Sequence, residues 1–316
     1  MESQLSAALW PVHPKPMDGE VLSSWLLRVA EGNGLNLSCL VELGLPKAAN
    51  TCIDIDLIDD AEFFKTLSTR SGIDQKLAMS AGYANDNGIR RSHLKPNDFV
   101  WVVPIFLKGG SESRKKAPVP FCPSCLTSGD IPYYRKTWRY AFYPVCPKHG
   151  LLLDHCPTCG HPFLYAGTDR QPSHHGVQGN RCLGCRRIFK NSAWKEHDPL
   201  LERVAEIEHL IINGIASGYI SIANHPPLPI ANFLSGFLDL VAFVSLLPSI
   251  QKTENWIVPS LSNHPYPSQE CLGQSNFERR SPIARARLLA LAFRLFEESL
   301  PRRIAEQCGV NINSLL

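Results

Sequence analysis

Hydrophobic positions repeat at helical spacing at both ends of this chain. Apolar side chains recur every three or four residues from position 20 to 30, and the G-N-G sequence at 32–34 ends the repeat. The same spacing returns over 200–215, 229–247 and 281–300, between stretches rich in Pro, Asn and Ser. The pattern predicts a mainly α-helical protein, with helical regions at both ends.

A second short helix is predicted directly after the first. It covers 37–43, and Asn36 is placed to cap its N-terminus. Ala30, Gly34 and Leu40 have the spacing of a helix-turn-helix, in which a small residue lies where the helices touch and a glycine makes the turn. The second helix contains no Arg or Lys. This helix is therefore at least as well suited to packing or protein contact as to insertion into a DNA groove.

Aromatic and basic residues are mixed in the segment 132–144, P-Y-Y-R-K-T-W-R-Y-A-F-Y-P. Such a mixture can stack on bases while neutralising phosphates, or it can form a β-hairpin whose alternate aromatic side chains fill a small core. We expect both properties, with Trp138 and Phe142 pointing inward and Arg135 and Arg139 pointing outward.

Five carboxylates cluster further toward the N-terminus, and they are Asp54, Asp56, Asp59, Asp60 and Glu62. A metal-dependent nuclease or transposase gathers its carboxylates from distant elements, whereas a local cluster is typical of a solvated helix start. We therefore expect these side chains to be solvated and not catalytic.

The central third contains four pairs of ligand-type residues, and two positions separate the members of each pair. The pairs are C-P-S-C at 122–125, C-P-K-H at 146–149, C-P-T-C at 156–159 and C-L-G-C at 182–185. A tight turn can aim both side chains of such a pair at one point, which is half of a tetrahedral Zn²⁺ site. Eight ligands make two closed structural sites, with Cys122, Cys125, Cys146 and His149 in one and Cys156, Cys159, Cys182 and Cys185 in the other. An interleaved pairing of the same residues remains open.

Two other uses of these residues fit less well. Disulfides require an oxidising compartment, and His149 cannot join one. A catalytic zinc keeps one coordination position open for water, and two sets of four ligands leave none. The chain also contains no G-x-x-x-x-G-K-[ST] motif for holding phosphates. We therefore predict a protein that is not an enzyme and that binds two structural Zn²⁺ ions.

Charge is unevenly distributed along the 316 residues, although the formal net charge is only +3. Residues 101–200 carry 14 basic and 6 acidic side chains, against 9 and 13 in residues 1–100. A basic zinc-binding region is typical of proteins that contact a polyanion. The nucleic-acid contacts that we expect are Arg135, Lys136, Arg139, Arg181, Arg186, Arg187 and Lys190. The alternative is a solvated basic face that contacts nothing.

These patterns divide the chain into three predicted domains. They are a helical, helix-turn-helix-like domain over 1–108, a tandem zinc-finger module over 117–195 and a C-terminal helical domain over 199–316. No signal peptide is predicted, because polar residues and prolines interrupt the first apolar run. Asn232 and Asp239 interrupt the most apolar segment, so we expect no membrane span and a location in a reducing cytoplasm.

Three stretches of the chain carry recognisable motifs in a characteristic order. They are W-P-V-H-P-K-P-M-D-G-E-V-L-S-S-W-L-L-R-V-A from Trp10, F-C-P-S-C-L from Phe121 and Y-Y-R-K-T-W-R-Y-A-F-Y-P-V-C-P-K-H-G-L-L-L-D-H-C-P-T-C-G from Tyr133. Together they resemble the TniQ family, which includes TnsD, over about residues 10–190. The resemblance implies a bacterial protein with an N-terminal helix-turn-helix, zinc-finger motifs at the eight ligand positions and a helical C-terminal region.

The resemblance also implies a function in transposition. Members of the family select target sites for heteromeric transposons by connecting a target-recognition element to an AAA+ regulator that recruits the transposase. Some read an attachment site in DNA themselves. Others act with a type I CRISPR effector and its guide RNA in RNA-guided DNA integration by CRISPR-associated transposons, often as dimers.

We use the C-terminal region to choose between the members that read DNA themselves and those that act with a CRISPR effector. Ala305, Gly309, Val310 and Leu315 repeat the helix-turn-helix spacing, but the second helix is unfinished. We therefore expect an adaptor whose partners are an AAA+ transposition regulator, a type I CRISPR effector with guide RNA or target DNA, and a second copy of this chain. The alternative is a TnsD-like, sequence-specific DNA-binding protein that recognises the attachment site itself.

Overall fold

The computed structural model describes residues 9–46, 54–89, 101–107, 115–164, 180–190, 198–222, 226–246 and 277–297. Helices dominate these residues, and the strands form short antiparallel pairs, which confirms the predicted mainly helical class. The chain divides into two compact units. The first unit comprises Met1–Asn85, Pro104–Arg139 and Asp154–Asn191, and the second comprises Asp86–Val103, Tyr140–Leu153 and Ser192–Leu316.

Four α-helices lie among the described residues of the N-terminal part of the first unit. They are α1 (Leu22–Gly32), α2 (Leu37–Gly44), α3 (Ala61–Ser71) and α4 (Gln75–Ser80). Asn36 caps α2 as predicted, because its side chain accepts a hydrogen bond from the backbone N–H of Cys39 at 2.7 Å. Apolar side chains from α1, α2 and α3, among them Trp25, Leu40 and Phe63, share one buried core. The two predicted helices are thus present, while the helix-turn-helix assignment itself stays a prediction.

An extended arm precedes α1 and packs on these helices. The backbone N–H of Trp10 donates to the carbonyl of Arg70, and the indole N–H of Trp25 donates to the carbonyl of Pro14. The indole of Trp10 lies against Gly44. The helical core therefore includes the proline-rich segment that leads into it.

The aromatic and basic segment after α5 (Pro123–Thr127) does not form the β-hairpin that we expected. Residues Lys136–Arg139 form a 3-10 helix instead. The backbone hydrogen-bonding groups of this segment bond to the end of the arm: Val21 N–H donates to the carbonyl of Tyr134, and Lys136 N–H donates to the carbonyl of Gly19. A segment whose backbone groups are satisfied by another part of the chain has no need to pair with itself.

A small aromatic core fills the rest of the first unit. The ring of Phe121 stacks on Phe163 with centroids 4.0 Å apart and lies 4.7 Å from the ring of Phe189. Tyr134 and Trp138 meet edge to face at 5.1 Å. These rings join the residues before α5 to both segments that carry the last two cysteine pairs. A two-stranded pair, β1 (Phe106–Leu107) and β2 (Lys115–Lys116), completes the unit.

In the described part of the second unit there are three long helices. They are α6 (Pro199–Ser217), α7 (Ile230–Leu246) and α8 (Pro282–Glu297), with two strand pairs, β3 (Val145–Cys146) with β4 (Gly150–Leu151) and β5 (Tyr219–Ile220) with β6 (Leu228–Pro229), and a 3-10 helix at Phe277–Arg279. Asp198 caps α6, and Gly218 ends it in the left-handed conformation. The helices match the predicted ranges within a few residues where they are described.

None of the helices in the described ranges is both long and apolar enough to cross a membrane. The helix-turn-helix spacing noted at Ala305, Gly309, Val310 and Leu315 lies outside the described residues.

Candidate metal centres and basic surface

The last two cysteine pairs meet at one point in the first unit. The Sγ atoms of Cys156, Cys159, Cys182 and Cys185, which we call the second cluster, all lie within 4.8 Å of one another. Cys156 is 3.9 Å from Cys185, and Cys159 is 3.6 Å from Cys182. The structure therefore joins neighbouring pairs, the first of the two arrangements that the sequence left open.

Two turns of the same geometry present these four thiols. In one turn, Gly160 N–H donates to the carbonyl of Cys156, whose own N–H donates to the carbonyl of His161. In the other, Arg186 N–H donates to the carbonyl of Cys182, whose own N–H donates to the carbonyl of Arg187. The residue after the second cysteine is left-handed in both turns, with φ of 71° at Gly160 and 62° at Arg186. This conformation reverses the chain and leaves both thiols on its inner side.

The turns also favour the metal-binding form of one thiol. Burial alone would raise the pKa of Cys156, but N–H donors from Thr158 and Cys159 outweigh it and lower the pKa to about 6. Burial raises the pKa of Cys182 to about 12. Because a metal binds thiolates and displaces their protons, metal binding at this cluster is expected to release protons and to strengthen with pH.

Tight packing at Gly184 offers a test of the second cluster that changes none of its ligands. A β-carbon on Gly184 would lie 2.8 Å from ring carbons of His161. Gly184→Ala is therefore expected to displace the His161 ring and to weaken zinc binding by roughly 1–3 kcal/mol. Competition with a chromogenic chelator measures this loss. Gly129→Ala is the matched control, since its β-carbon would meet no atom within 4 Å. Equal zinc affinity in both variants would contradict the packing argument.

The other four predicted ligands also meet. The ligand atoms of Cys122, Cys125, Cys146 and His149, the first cluster, lie within 4.8 Å of one another. Cys122 occupies the N-cap position of α5, where its Sγ accepts the N–H of Cys125 at 3.4 Å. The Sγ of Cys146 lies 3.6 Å from Nδ1 of His149.

The donor sets of both clusters fit metal ions. Four thiols, or three thiols and an imidazole, supply four ligand atoms around one point, which is a closed tetrahedral set. Sulfur and imidazole ligands in this geometry are typical of structural Zn²⁺. Both clusters can therefore hold a metal ion, while the identity of the metal stays a prediction.

A buried glutamate that sequence reasoning missed lies close to Cys146. Glu208 lies on the buried stripe of α6 and accepts the backbone N–H of Val145 at 2.7 Å. Burial raises its pKa well above the usual value, and the Cys146 thiol adds to this effect while Arg285 opposes it. The sequence did contain a sign of this buried glutamate. Glu208 is a carboxylate on the apolar face of a predicted helix, at helical spacing from Val204 and Ile211.

Arg139 does not lie on the basic surface where we expected it. Its side chain is fully buried, and its guanidinium forms ion pairs with Asp54 and with Asp56, the latter at 2.6 Å. The N–H and hydroxyl of Ser23 also donate to Asp56, at 2.7 and 2.8 Å. The outward orientation that we expected for Arg139 is therefore wrong, and so is the expected solvation of these two carboxylates. Trp138 and Phe142 are buried, as predicted.

The contacts in this ion cluster shift the pKa values of Asp56 and Arg139. Burial raises the pKa of Asp56 to about 6, an effect that Arg139 opposes and Asp54 reinforces. Burial alone would lower the pKa of Arg139, but the two carboxylates raise it well above its usual value. Arg139 is therefore the shared cation that offsets the burial of two adjacent acidic side chains.

The other candidate cations differ in how far they are free to contact a ligand. Arg135 is half-buried, with its guanidinium 4.9 Å from the centre of the Tyr133 ring. The ammonium of Lys136 donates to the carbonyl of Ser80 at 2.9 Å. In contrast, Arg181, Arg186, Arg187 and Lys190 are exposed. Of the predicted contact residues, the exposed ones therefore all lie in the segment that carries Cys182 and Cys185.

Residues 11–153 match the model of the TniQ family. No curated protein matches the chain. The matched range contains α1, the first cluster and Arg139 together with Asp54 and Asp56.

Proposed function

We propose that this chain, which belongs to the TniQ family, is a non-enzymatic adaptor in target-site selection for a heteromeric transposon. The TniQ match over residues 11–153 carries this proposal, because it supports a transposition-associated role in target selection in general. In the adaptor role the chain links a target-recognition complex, a type I CRISPR effector with its guide RNA, to an AAA+ regulator of transposition.

The chemistry of the polar clusters supports a role in binding. Both sulfur-rich clusters supply four protein ligands, so a metal held by all four would have no position for a reacting water. Asp54 and Asp56, which a metal-dependent nuclease could have used, are ion-paired with Arg139. These three arrangements support a role in binding over hydrolysis or strand transfer.

The outer face of α2 supports a protein partner for the N-terminal helices. Leu43 is 73% exposed, and its neighbour Glu42 is also exposed. A helix that binds the major groove presents cations and polar side chains to phosphates and base edges. An exposed leucine beside a carboxylate fits a protein surface better. In the proposed role, nucleic acid contacts are made mainly to phosphates by the exposed cations of the first unit.

Co-purification tests the adaptor role. The tagged protein is expressed with an AAA+ regulator and with a type I CRISPR effector and guide RNA, and a DNA-binding assay of the protein alone runs in parallel. We expect recovery of both partners and only weak, salt-sensitive binding to any duplex. Tight binding to one defined duplex without guide RNA, and no effector recovered, would instead identify a TnsD-like reader of the attachment site.

A variant of α2 locates the protein contact. Leu43→Asp adds a charge at the most exposed apolar position of α2 and is expected to reduce partner recovery about tenfold or more. Leu77→Asp is the matched control, because Leu77 is an exposed leucine on a different helix, α4. Equal recovery with Leu43→Asp and wild type would exclude α2 from the interface.

A further inference from the structure

Arg186 has an unusual backbone conformation for its residue type. Its φ is 62°, and it is the one residue other than glycine with a positive φ in the described part of the chain. The equivalent residue of the partner turn is Gly160, with φ of 71°. The residue after His149, at the end of another C-x-x-ligand pair, is also a glycine, Gly150, with φ of 91°.

The left-handed conformation carries a cost at Arg186 that it does not carry at the two glycines. A β-carbon in this conformation crowds the neighbouring backbone, whereas glycine adopts it freely. Glycine at 186 would therefore build the same turn with less strain. Residues held in sparsely populated backbone conformations concentrate at ligand clamps, where the surrounding structure forces them to stay. The turn thus keeps Arg186 at a position where glycine would give the more stable fold.

The segment of the chain that contains Arg186 is basic. Residues 180–190, which we call the basic loop, contain four cations and no Asp or Glu. The loop is closed by a hydrogen bond from Phe189 N–H to the carbonyl of Asn180, at 2.9 Å, and by the pairing of Arg181 with Ile188. Its four cations are all exposed, and two aliphatic side chains of the same loop, Leu183 and Ile188, are 47% and 46% exposed.

These features favour a nucleic-acid backbone over other anions. Several cations on one short, closed loop match a ligand with regularly repeated charges, which is the phosphate backbone. The half-exposed aliphatic side chains can lie against sugars between phosphates. A loop held to a metal by two of its own cysteines, Cys182 and Cys185, would also lose little conformational freedom when it binds.

We propose that Arg186 is the main phosphate contact of the basic loop, retained there at the expense of stability. This inference rests on the proposed function, because it assumes that the first unit meets nucleic acid during target selection. It goes further in assigning the contact to one residue and in predicting that binding and stability change in opposite directions when that residue becomes glycine.

The test compares Arg186→Gly with wild type in the full-length, zinc-loaded protein. The variant is expected to unfold less readily, with an unfolding constant about fivefold lower, because the turn is relaxed. Its affinity for a short fluorescent duplex of random sequence is expected to fall about tenfold, and the slope of log K against log salt is expected to decrease by about 1. Denaturant unfolding and fluorescence anisotropy at several salt concentrations measure the two effects.

Two control variants separate charge from backbone strain. Arg186→Lys keeps the cation and the strained conformation, so its salt slope is expected to equal that of wild type. Arg187→Ala removes a neighbouring exposed cation at an ordinary backbone conformation and is expected to weaken binding without any gain in stability.

The outcomes distinguish this inference from the function that it rests on. If Arg186→Gly binds as tightly as wild type, Arg186 is not the contact, while nucleic-acid binding by the first unit stands. If wild type binds no duplex or guide RNA even at low salt, the nucleic-acid part of the proposed function fails as well. Preferential binding of an acidic peptide such as poly-glutamate by wild type, lost in Arg186→Gly, would overturn the assignment to phosphates.

Discussion

Cys156→Ala is expected to abolish metal binding at the second cluster and to unfold the part of the first unit that surrounds it. The energy of a structural zinc site is folding energy, on the order of 10 kcal/mol in small fingers at neutral pH. A deficit of this size exceeds what the local core can supply, since that core consists of a few rings such as Phe121, Phe163 and Phe189. Much of the helical content should remain, because α1 to α4 have a hydrophobic core of their own.

Three measurements follow the expected loss. Elemental analysis counts bound zinc, limited proteolysis detects opening of residues 154–190, and far-ultraviolet circular dichroism reports the remaining helix. Chelation of the wild-type protein should reproduce the proteolysis pattern. Cys39→Ala is the matched control, because Cys39 is a half-buried cysteine of α2 outside both clusters. Loss of zinc from Cys156→Ala without any change in proteolysis would contradict a structural role for the metal.

Arg139→Met is expected to have the second largest effect, a loss of about 3–5 kcal/mol in the free energy of unfolding. Methionine fills much of the volume of the arginine stem but leaves Asp54 and Asp56 buried without their shared cation. Two like charges in a low-dielectric interior repel each other and have lost their hydration. Denaturant unfolding measures the loss. Arg135→Met is the matched control, since this arginine belongs to the same segment but is only half-buried and lies over the ring of Tyr133.

The effect of Arg139→Met should also depend on pH in a defined direction. The folded-state pKa of Asp56 is about 6 with Arg139 present, above the usual 3.8. It should rise further in the variant, because the opposing guanidinium is gone. A carboxyl group whose pKa is raised on folding stabilises the fold at low pH, and that stabilisation is lost as the pH rises through the folded-state pKa. The destabilisation should therefore be larger at about pH 8 than at about pH 5, with variant and wild type compared at equal zinc content. A destabilisation that grows toward acid pH would contradict a charged role for this pair.

The local features of the protein were readable in the sequence. The helices followed from apolar residues at three and four spacing, and Asn36 was identified as a cap because a cap acts on backbone groups within three residues. The eight ligand residues followed from pairs separated by two positions, because one turn decides where both side chains point. The TniQ resemblance was confirmed over residues 11–153. The three predicted domain ranges and the partners stay predictions.

The sequence did not reveal which distant groups would meet. Arg139 lies more than eighty positions from Asp54 and Asp56, and neither the basic segment nor the acidic one contains a sign of the other. From residue type alone, we expected both the arginine and the two carboxylates to be exposed to solvent.

Sequence by itself thus determined the helices and the candidate metal-ligating residues of this protein, since those depend on contacts within a few positions along the chain. Only the tertiary structure decided that the aromatic segment bonds to the arm at Val21, and so turns Arg139 inward. It also decided that neighbouring cysteine pairs share a cluster. Both outcomes depend on which backbone groups and charges the fold brings together, and a buried charge must find its partner wherever in the chain that partner lies.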